Sequence, residues 1–336
     1  MELFWEDLML YQLNRQGQLT PFDQNLVEYL YADYLPDTSL LILLNDMIPQ
    51  DQSPNDPLLI AHDAATNPVD IDQLLQKIKS TSKHYILSGL YKYYKNSHQD
   101  PRVKFFPFWT LWMSQPYGPV ASISNHVFSN KPKKYKVSCL NGTQWNHRIL
   151  TYLALKKRAY FNDIVFTFGH RPPCQDIVNK ITLTQFEQAE FAKLDHTVEF
   201  ISADDQGIDL SVVHPAFQES YVNLVTETTV NPNTPMLSEK TFKPIIAGQL
   251  FVLIASPGAV QFLRDIGIDV FDDIIDHSYD QIVDFRVRLS QALTQIDQLV
   301  QLDLESIYTK IKPRLIKNSE YFLSQGFRDQ FKLNFG

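Results

Sequence analysis

The chain has 336 residues, 44% hydrophobic and 20% charged, with a formal net charge of −8. That length exceeds one ordinary core and suits two domains of about 150 residues each, and the composition excludes wholesale disorder. Cys139 and Cys174 are the two cysteines, too few for a disulfide scaffold or a four-thiolate metal site, and the acidic balance opposes a dominant nucleic-acid surface.

The N-terminus, MELFWEDLML, is acidic where a signal peptide is basic. No later apolar run approaches the ~18 residues of a membrane span, so a cytoplasmic protein without a transmembrane segment, at most peripheral on a membrane, is expected. Residues 39–47, 57–65, 84–89 and 103–108 are short apolar runs bounded by Pro, Asp, Asn or Gly, which read as buried strands. DIDQLLQKIKS (70–80) lies between the second and third with helical spacing. Such alternation predicts a parallel sheet with crossover helices. Around residues 125–134 the texture turns polar and basic, and a domain seam is expected there, giving domains 1–130 and 131–336.

The pattern then restarts. Strands are predicted over 134–142, 163–169, 197–204, 221–228 and 251–256, with helices over 144–160, 182–194 and 238–248. Two long helical stretches, roughly 278–301 and 303–325, follow. Two local cation clusters, Lys131, Lys133, Lys134 and Lys136 and then Lys156, Lys157 and Arg158, read as solvated faces or an anion-facing rim.

No GxGxxG or GxxxxGK[ST] loop occurs, which argues against a dinucleotide dehydrogenase or a P-loop NTPase. The informative segment is 219–258, ESYVNLVTETTVNPNTPMLSEKTFKPIIAGQLFVLIASPG. Its strand ends in Glu227, a polar loop follows, and Ser238-Glu239-Lys240 opens a helix. Ser238 is a plausible N-cap, and a helix start with Lys240 on its first turn suits a diphosphate. Glu227 and Glu239 suit ribose or sugar hydroxyls. On spacing alone, an ordinary exposed first turn accounts for Glu239 and Lys240 equally well.

This succession of strand, Glu, loop, Ser-Glu-Lys, helix, Ala-Gly and strand resembles the donor-binding signature of the alpha-1,3-fucosyltransferases and related exostosin-like glycosyltransferases. The family's Phe-Glu-Asn-Ser string stands here as Val225-Thr226-Glu227-Thr228, and the loop is longer. A second likeness lies in KYKVSCLNGTQWNHRILTYL, where a strand ends at Asn141-Gly142 and His147-Arg148 follow on a helix. A third, RVKFFPFWTLW (102–112), is similar to the family's Arg-rich, Pro-aromatic stretch, although its aromatic residues also suit a core.

The resemblance implies a GT-B fold, two Rossmann-like parallel-sheet domains facing a central cleft, with the C-terminal helices closing the second. It implies an inverting, metal-independent glycosyltransferase that takes a GDP- or UDP-sugar as co-substrate, with no other cofactor, and a glycan or other hydroxyl as acceptor. Asn141, His147, Arg148, Glu227, Ser238, Glu239 and Lys240 would form the donor site. Asp63 would be the catalytic base, with His62 or Asp46 as rivals; an Asp at a strand end is also a common turn-former. A transferase acting on modified bases in DNA and a non-catalytic nucleotide-binding or scaffold protein remain the alternatives.

Overall fold

The computed structural model describes residues 40–43, 58–61, 85–88, 103–106, 110, 113–114, 128, 131–169, 179–193, 199–201, 212, 214–232 and 236–335. The chain forms two compact units, one of Met1–Phe108 with Lys332–Gly336 and one of Trp109–Phe331.

In the first unit the described strands are β1 (Leu40–Leu43), β2 (Leu58–Ala61), β3 (Tyr85–Ser88) and β4 (Val103–Phe106), each inside an apolar run expected to be a strand. β1 pairs with β2 and β3 with β4, both in parallel. Parallel neighbours need long crossover connections rather than tight turns. The helix expected at 70–80 lies outside the described residues.

Among the described residues the second unit holds a five-stranded sheet of β5 (Tyr135–Cys139), β6 (Ile164–Gly169), β7 (Glu199–Ile201), β8 (Ser220–Thr226) and β9 (Leu250–Ile254). The order is β7-β6-β5-β8-β9 and every pairing is parallel. The chain therefore builds outward from β5 in one direction, returns, and builds outward from β8 in the other, which is the doubly wound Rossmann-like order. β8 and β9 are buried along their whole lengths, as expected of strands covered on both faces.

Helix α1 (Asn146–Lys156) connects β5 to β6, and α2 (Gln185–Ala192) lies between β6 and β7. Thr184 and Glu187 form a reciprocal capping box at the start of α2. A short α3 (Ala216–Glu219), not expected from the sequence, leads into β8, and α4 (Glu239–Ile246) joins β8 to β9. α5 (Ala259–Asp265) follows β9. The long stretch expected at 278–301 is a 3-10 turn (Ser278–Gln281) and then α6 (Phe285–Leu299), because the Asp284 side chain accepts from Val287 N and caps a new helix. The stretch expected at 303–325 is α7 (Leu304–Phe322), followed by α8 (Gln325–Phe335). Ser324 separates them, its Oγ accepting from Phe327 N. α6 packs on β9, and α7 on α4 and β8. Val222, Leu224, Val252 and Ile254 of the sheet share one core with Leu293, Ile296 and Leu315 of these helices.

The division between units falls after Phe108, ahead of the seam expected at 125–134. The cause is packing. Arg328 on α8 donates to Ser114 O at 2.6 Å and Lys312 on α7 donates to Phe128 O at 2.8 Å. These bonds attach Ser114 and Phe128 to the helices of the second unit. Two of the cations of 131–136 act similarly: Lys133 Nζ donates to Gln218 O and Lys136 Nζ to Val300 O.

α4 ends at Gly248, whose φ of +61° belongs to the left-handed region. A Cβ there would lie 2.1 Å from the Phe128 ring. Gly248→Ala should therefore lower stability by clearly more than the ~1 kcal/mol of an ordinary Gly-to-Ala conflict. A denaturant melt giving wild-type stability would show that the turn relaxes freely.

Candidate functional site

The sheet order reverses between β5 and β8. In open α/β sheets the crevice at such a reversal, outside the carboxyl ends of the strands, is where ligands bind. The loops leaving those two strands and the first turns of the helices that follow carry the expected donor-site residues: Asn141 and Glu227 on the loops, His147 and Arg148 on α1, Ser238 at the cap of α4, and Glu239 and Lys240 in its first turn.

The two strand ends are tied together. Asn141 Oδ1 accepts a short hydrogen bond from Thr226 Oγ1, and Asn141 N donates to Thr167 Oγ1 on β6 at 3.0 Å. Glu227 N donates to Ile254 O at 2.9 Å, which extends the β8–β9 ladder by one residue.

Beyond that point the Glu227 side chain is fully buried. Oε1 accepts from Ser238 N (3.0 Å), Thr241 N (3.2 Å) and Thr241 Oγ1; Oε2 accepts from Thr228 N (3.0 Å) and Ser238 Oγ (2.6 Å). Ser238 is the N-cap of α4, as expected, and its Oγ accepts from Lys240 N. The carboxyl of Glu227 thus takes the place at the start of α4 that an anion would take, and it binds two of the N–H groups expected to face a diphosphate. Its geometry is that of a cap that fixes loop and helix to the strand.

Glu239 and Lys240 lie outside this buried knot, with side chains 11% and 25% exposed, and form an ion pair. Lys240 Nζ also reaches Ser238 Oγ at 3.3 Å and Thr228 Oγ1 at 3.4 Å, so the ammonium stands over the end of β8. Burial acts to raise the Glu239 carboxyl, but Lys240 and Lys243 outweigh it and hold that group below the usual carboxylate range.

His147 and Arg148, at the start of α1, are buried. His147 Nε2 lies 2.8 Å from Glu227 O, a carbonyl that only accepts, so Nε2 carries the proton and Nδ1 accepts from Asn179 Nδ2. Arg148 donates to Thr143 O and Thr226 O, both at 3.3 Å, and to Glu227 O at 3.5 Å. Expected to reach a donor diphosphate, Arg148 instead binds the β8 loop to the loop after β5. Asp63, His62 and Asp46, the candidates for a catalytic base, lie outside the described residues. Among the described residues no group of three or more His, Cys, Asp or Glu is arranged to hold a metal ion.

Three further residues shape the crevice with no motif to mark them. Asn179 Oδ1 accepts from Val230 N at 2.7 Å while its Nδ2 donates to Thr228 O at 3.2 Å. Ser256 Oγ donates to Asn231 O at 2.9 Å, and the buried Arg288 donates to Val230 O. Each partner is remote in sequence, so local spacing holds no sign of them.

Neither a comparison with protein families nor one with curated proteins gives a match. Among solved structures, the chain is similar to one from the crystal structure of accessory secretory protein 1, 2 and 3 in Streptococcus pneumoniae. That likeness has 14% identity and a TM-score of 0.30, and covers 93% of this chain. It covers 56% of the other chain, so this sequence spans a little over half of its length. Among the described residues no helix is long and apolar enough to cross a membrane.

Proposed function

We propose that the chain is a glycosyltransferase of the two-domain GT-B kind, whose second unit binds a nucleotide-sugar at the crevice between the carboxyl ends of β5 and β8. The observation that carries this reading is the order reversal of the parallel sheet at that point, with the ion pair of the partly exposed Lys240 and the buried Glu239 on the first turn of α4 beside it. On this reading Lys240 faces the donor diphosphate and stabilises it as a leaving group, Glu239 accepts from a ribose or sugar hydroxyl, and Glu227 and Arg148 hold the two loops in place. The acceptor is a hydroxyl of a glycan or another molecule. Asp63 or His62 of the first unit would take its proton.

A second reading is a nucleotide-binding protein without turnover. The specific observation favouring it is the commitment of Arg148 and the Glu227 carboxyl to internal partners, which leaves the leaving group a single cation from the expected set.

The test is a thermal-shift panel of GDP-, UDP-, ADP- and CMP-sugars, followed by an assay for nucleotide release with the donor that raises the melting temperature. A transferase gives both a shift and released nucleotide, and most of that activity should survive EDTA. A shift without release supports the second reading. No shift with any donor overturns both.

A further inference from the structure

Away from the crevice, α1, α2 and the first half of α6 enclose a groove with a cavity of about 410 Å³. That is within the size range of pockets that take a ligand or a few anchoring side chains. Its floor is apolar: Leu150 of α1 and Leu289 and Leu293 of α6 line it and are buried. At its lip Phe186, on the first turn of α2, is 65% exposed. The capping box formed by Thr184 and Glu187 fixes that turn, so this ring is held at the lip by the helix that carries it.

Most charges around the groove are already matched. Arg286 donates to both oxygens of Glu187, at 2.7 and 3.0 Å, and holds that carboxyl down to about 2. Glu190 pairs with Lys193, and Arg158 grips Asp297 through two bonds of 3.3 Å. Lys156 and Lys157, at the end of α1, also line the groove. Among the described residues neither makes an ion pair, although both attract the Glu190 carboxylate at longer range; both are exposed, and Lys156 Nζ stands 5.7 Å from the centre of the Tyr152 ring. One cation in a last turn complements the helix dipole; two side by side, at the end of an apolar groove, leave a surplus positive charge.

We propose that this groove is a docking site for an acidic amphipathic helix of a partner protein. Apolar residues at helical spacing would enter between α1 and α6, the Phe186 ring would be covered, and Asp or Glu side chains would meet Lys156 and Lys157. The walls are helices, whose ridges and grooves receive another helix. Charge complementarity selects an acidic partner and makes the contact sensitive to salt. The site is separate from the crevice. His147 and Arg148 lie at the opposite end of α1 from Lys156, about 12 Å along the helix at 1.5 Å per residue.

The experiment is a selection from a displayed library of random peptides about three helical turns long against the whole protein. Peptides that also bind the double variant Lys156→Glu, Lys157→Glu are removed. Fluorescence anisotropy of the enriched peptides follows, at low and high salt. The expected survivors combine Asp or Glu with Leu or Phe at i, i+3 and i+4 spacing. They should bind at least tenfold more weakly to the double variant and to Phe186→Ser, and more weakly in high salt. Melting temperatures of both variants should match the wild type, because these side chains project outward, and thermal shifts with nucleotide-sugars should be unchanged. Basic or uncharged survivors, or none that separate the wild type from the double variant, would overturn the proposal. So would binding to phosphatidylglycerol vesicles that is lost in the same variants while no peptide binds, since the two lysines would then serve a membrane surface.

Discussion

Glu227→Ala should be among the most destabilising single substitutions in the second unit. Three backbone N–H groups, of Thr228, Ser238 and Thr241, donate to this carboxyl in a buried setting, as do two hydroxyls. A buried donor left without an acceptor costs about 1–3 kcal/mol, so the total loss should reach about 3–5 kcal/mol even if a water molecule replaces part of the side chain. For a unit of this size, residues 109–331, each kcal/mol moves the melting temperature by about 2–4 °C, and the expected drop is roughly 10 °C. Glu227→Gln should fall between, because the amide keeps one acceptor oxygen but turns an NH₂ toward donors. Ser238→Ala removes one cap and should cost about 1 kcal/mol. The sequence expectation for Glu227, direct contact with a ribose or sugar hydroxyl, makes the opposite forecast: a melting temperature within a degree or two of wild type and a loss confined to ligand affinity. Calorimetric melting of Glu227→Ala without ligand separates the two.

The parallel α/β class of this chain was legible because a buried parallel strand has a strong local signature. Apolar runs such as SYVNLVT and LFVLI, each bounded by turn residues, locate β8 and β9 to within a few residues. Caps were legible for the same local reason: Ser238 sits where a Ser before Glu-Lys should sit, and the structure gives it that role. The four described strands of the first unit also fall within runs read from the sequence. The arrangement of two such domains across a cleft rests on family resemblance and enters the proposal on that footing.

What failed to show was anything set by long-range pairing. A seam read from composition at 125–134 missed the bonds from Arg328 to Ser114 and from Lys312 to Phe128, which join residues 214 and 184 positions apart. Arg148 illustrates the same limit within the site. Its position after a strand and a short polar loop suggests a phosphate ligand, and nothing nearby reveals that the carbonyls of Thr226 and Glu227 fold back to meet it. An arginine with several donors will satisfy backbone acceptors wherever two loops converge. Local spacing therefore marked residues near the ends of β5 and β8, and not which of them bind other parts of the protein.

That distinction makes Lys240→Ala the sharper functional test, with an expected fall in turnover of roughly a hundred- to a thousand-fold on the transferase reading. Lys240 is the partly exposed cation of the α4 first turn, 25% exposed at the side chain. A donor diphosphate gains negative charge as the glycosidic bond breaks, so the attraction to an ammonium held over it grows toward the transition state. The loss should appear in kcat as well as in KM. Removing a comparable oxyanion donor costs ~2.7–4 kcal/mol, which sets the scale. Stability should change little, because the Lys240 side chain is itself partly exposed and Lys243 remains beside the buried Glu239 carboxyl to offset its charge. Arg148→Ala should behave differently: at 2% exposure, with three backbone carbonyls as acceptors, its loss should lower the melting temperature before any effect on a ligand is measured. Lys240→Arg keeps the charge and shifts the donor geometry, so its turnover should lie between those of Lys240→Ala and the wild type. Steady-state release of nucleotide from the donor chosen by thermal shift, measured for wild type and the three variants beside their melts, gives all of these numbers. Turnover of Lys240→Ala within about threefold of wild type would remove Lys240 from the diphosphate site. If instead the wild type binds a nucleotide-sugar without releasing nucleotide, Lys240→Ala should weaken that binding with the melting temperature of the free protein unchanged, and the crevice would be a binding site without chemistry.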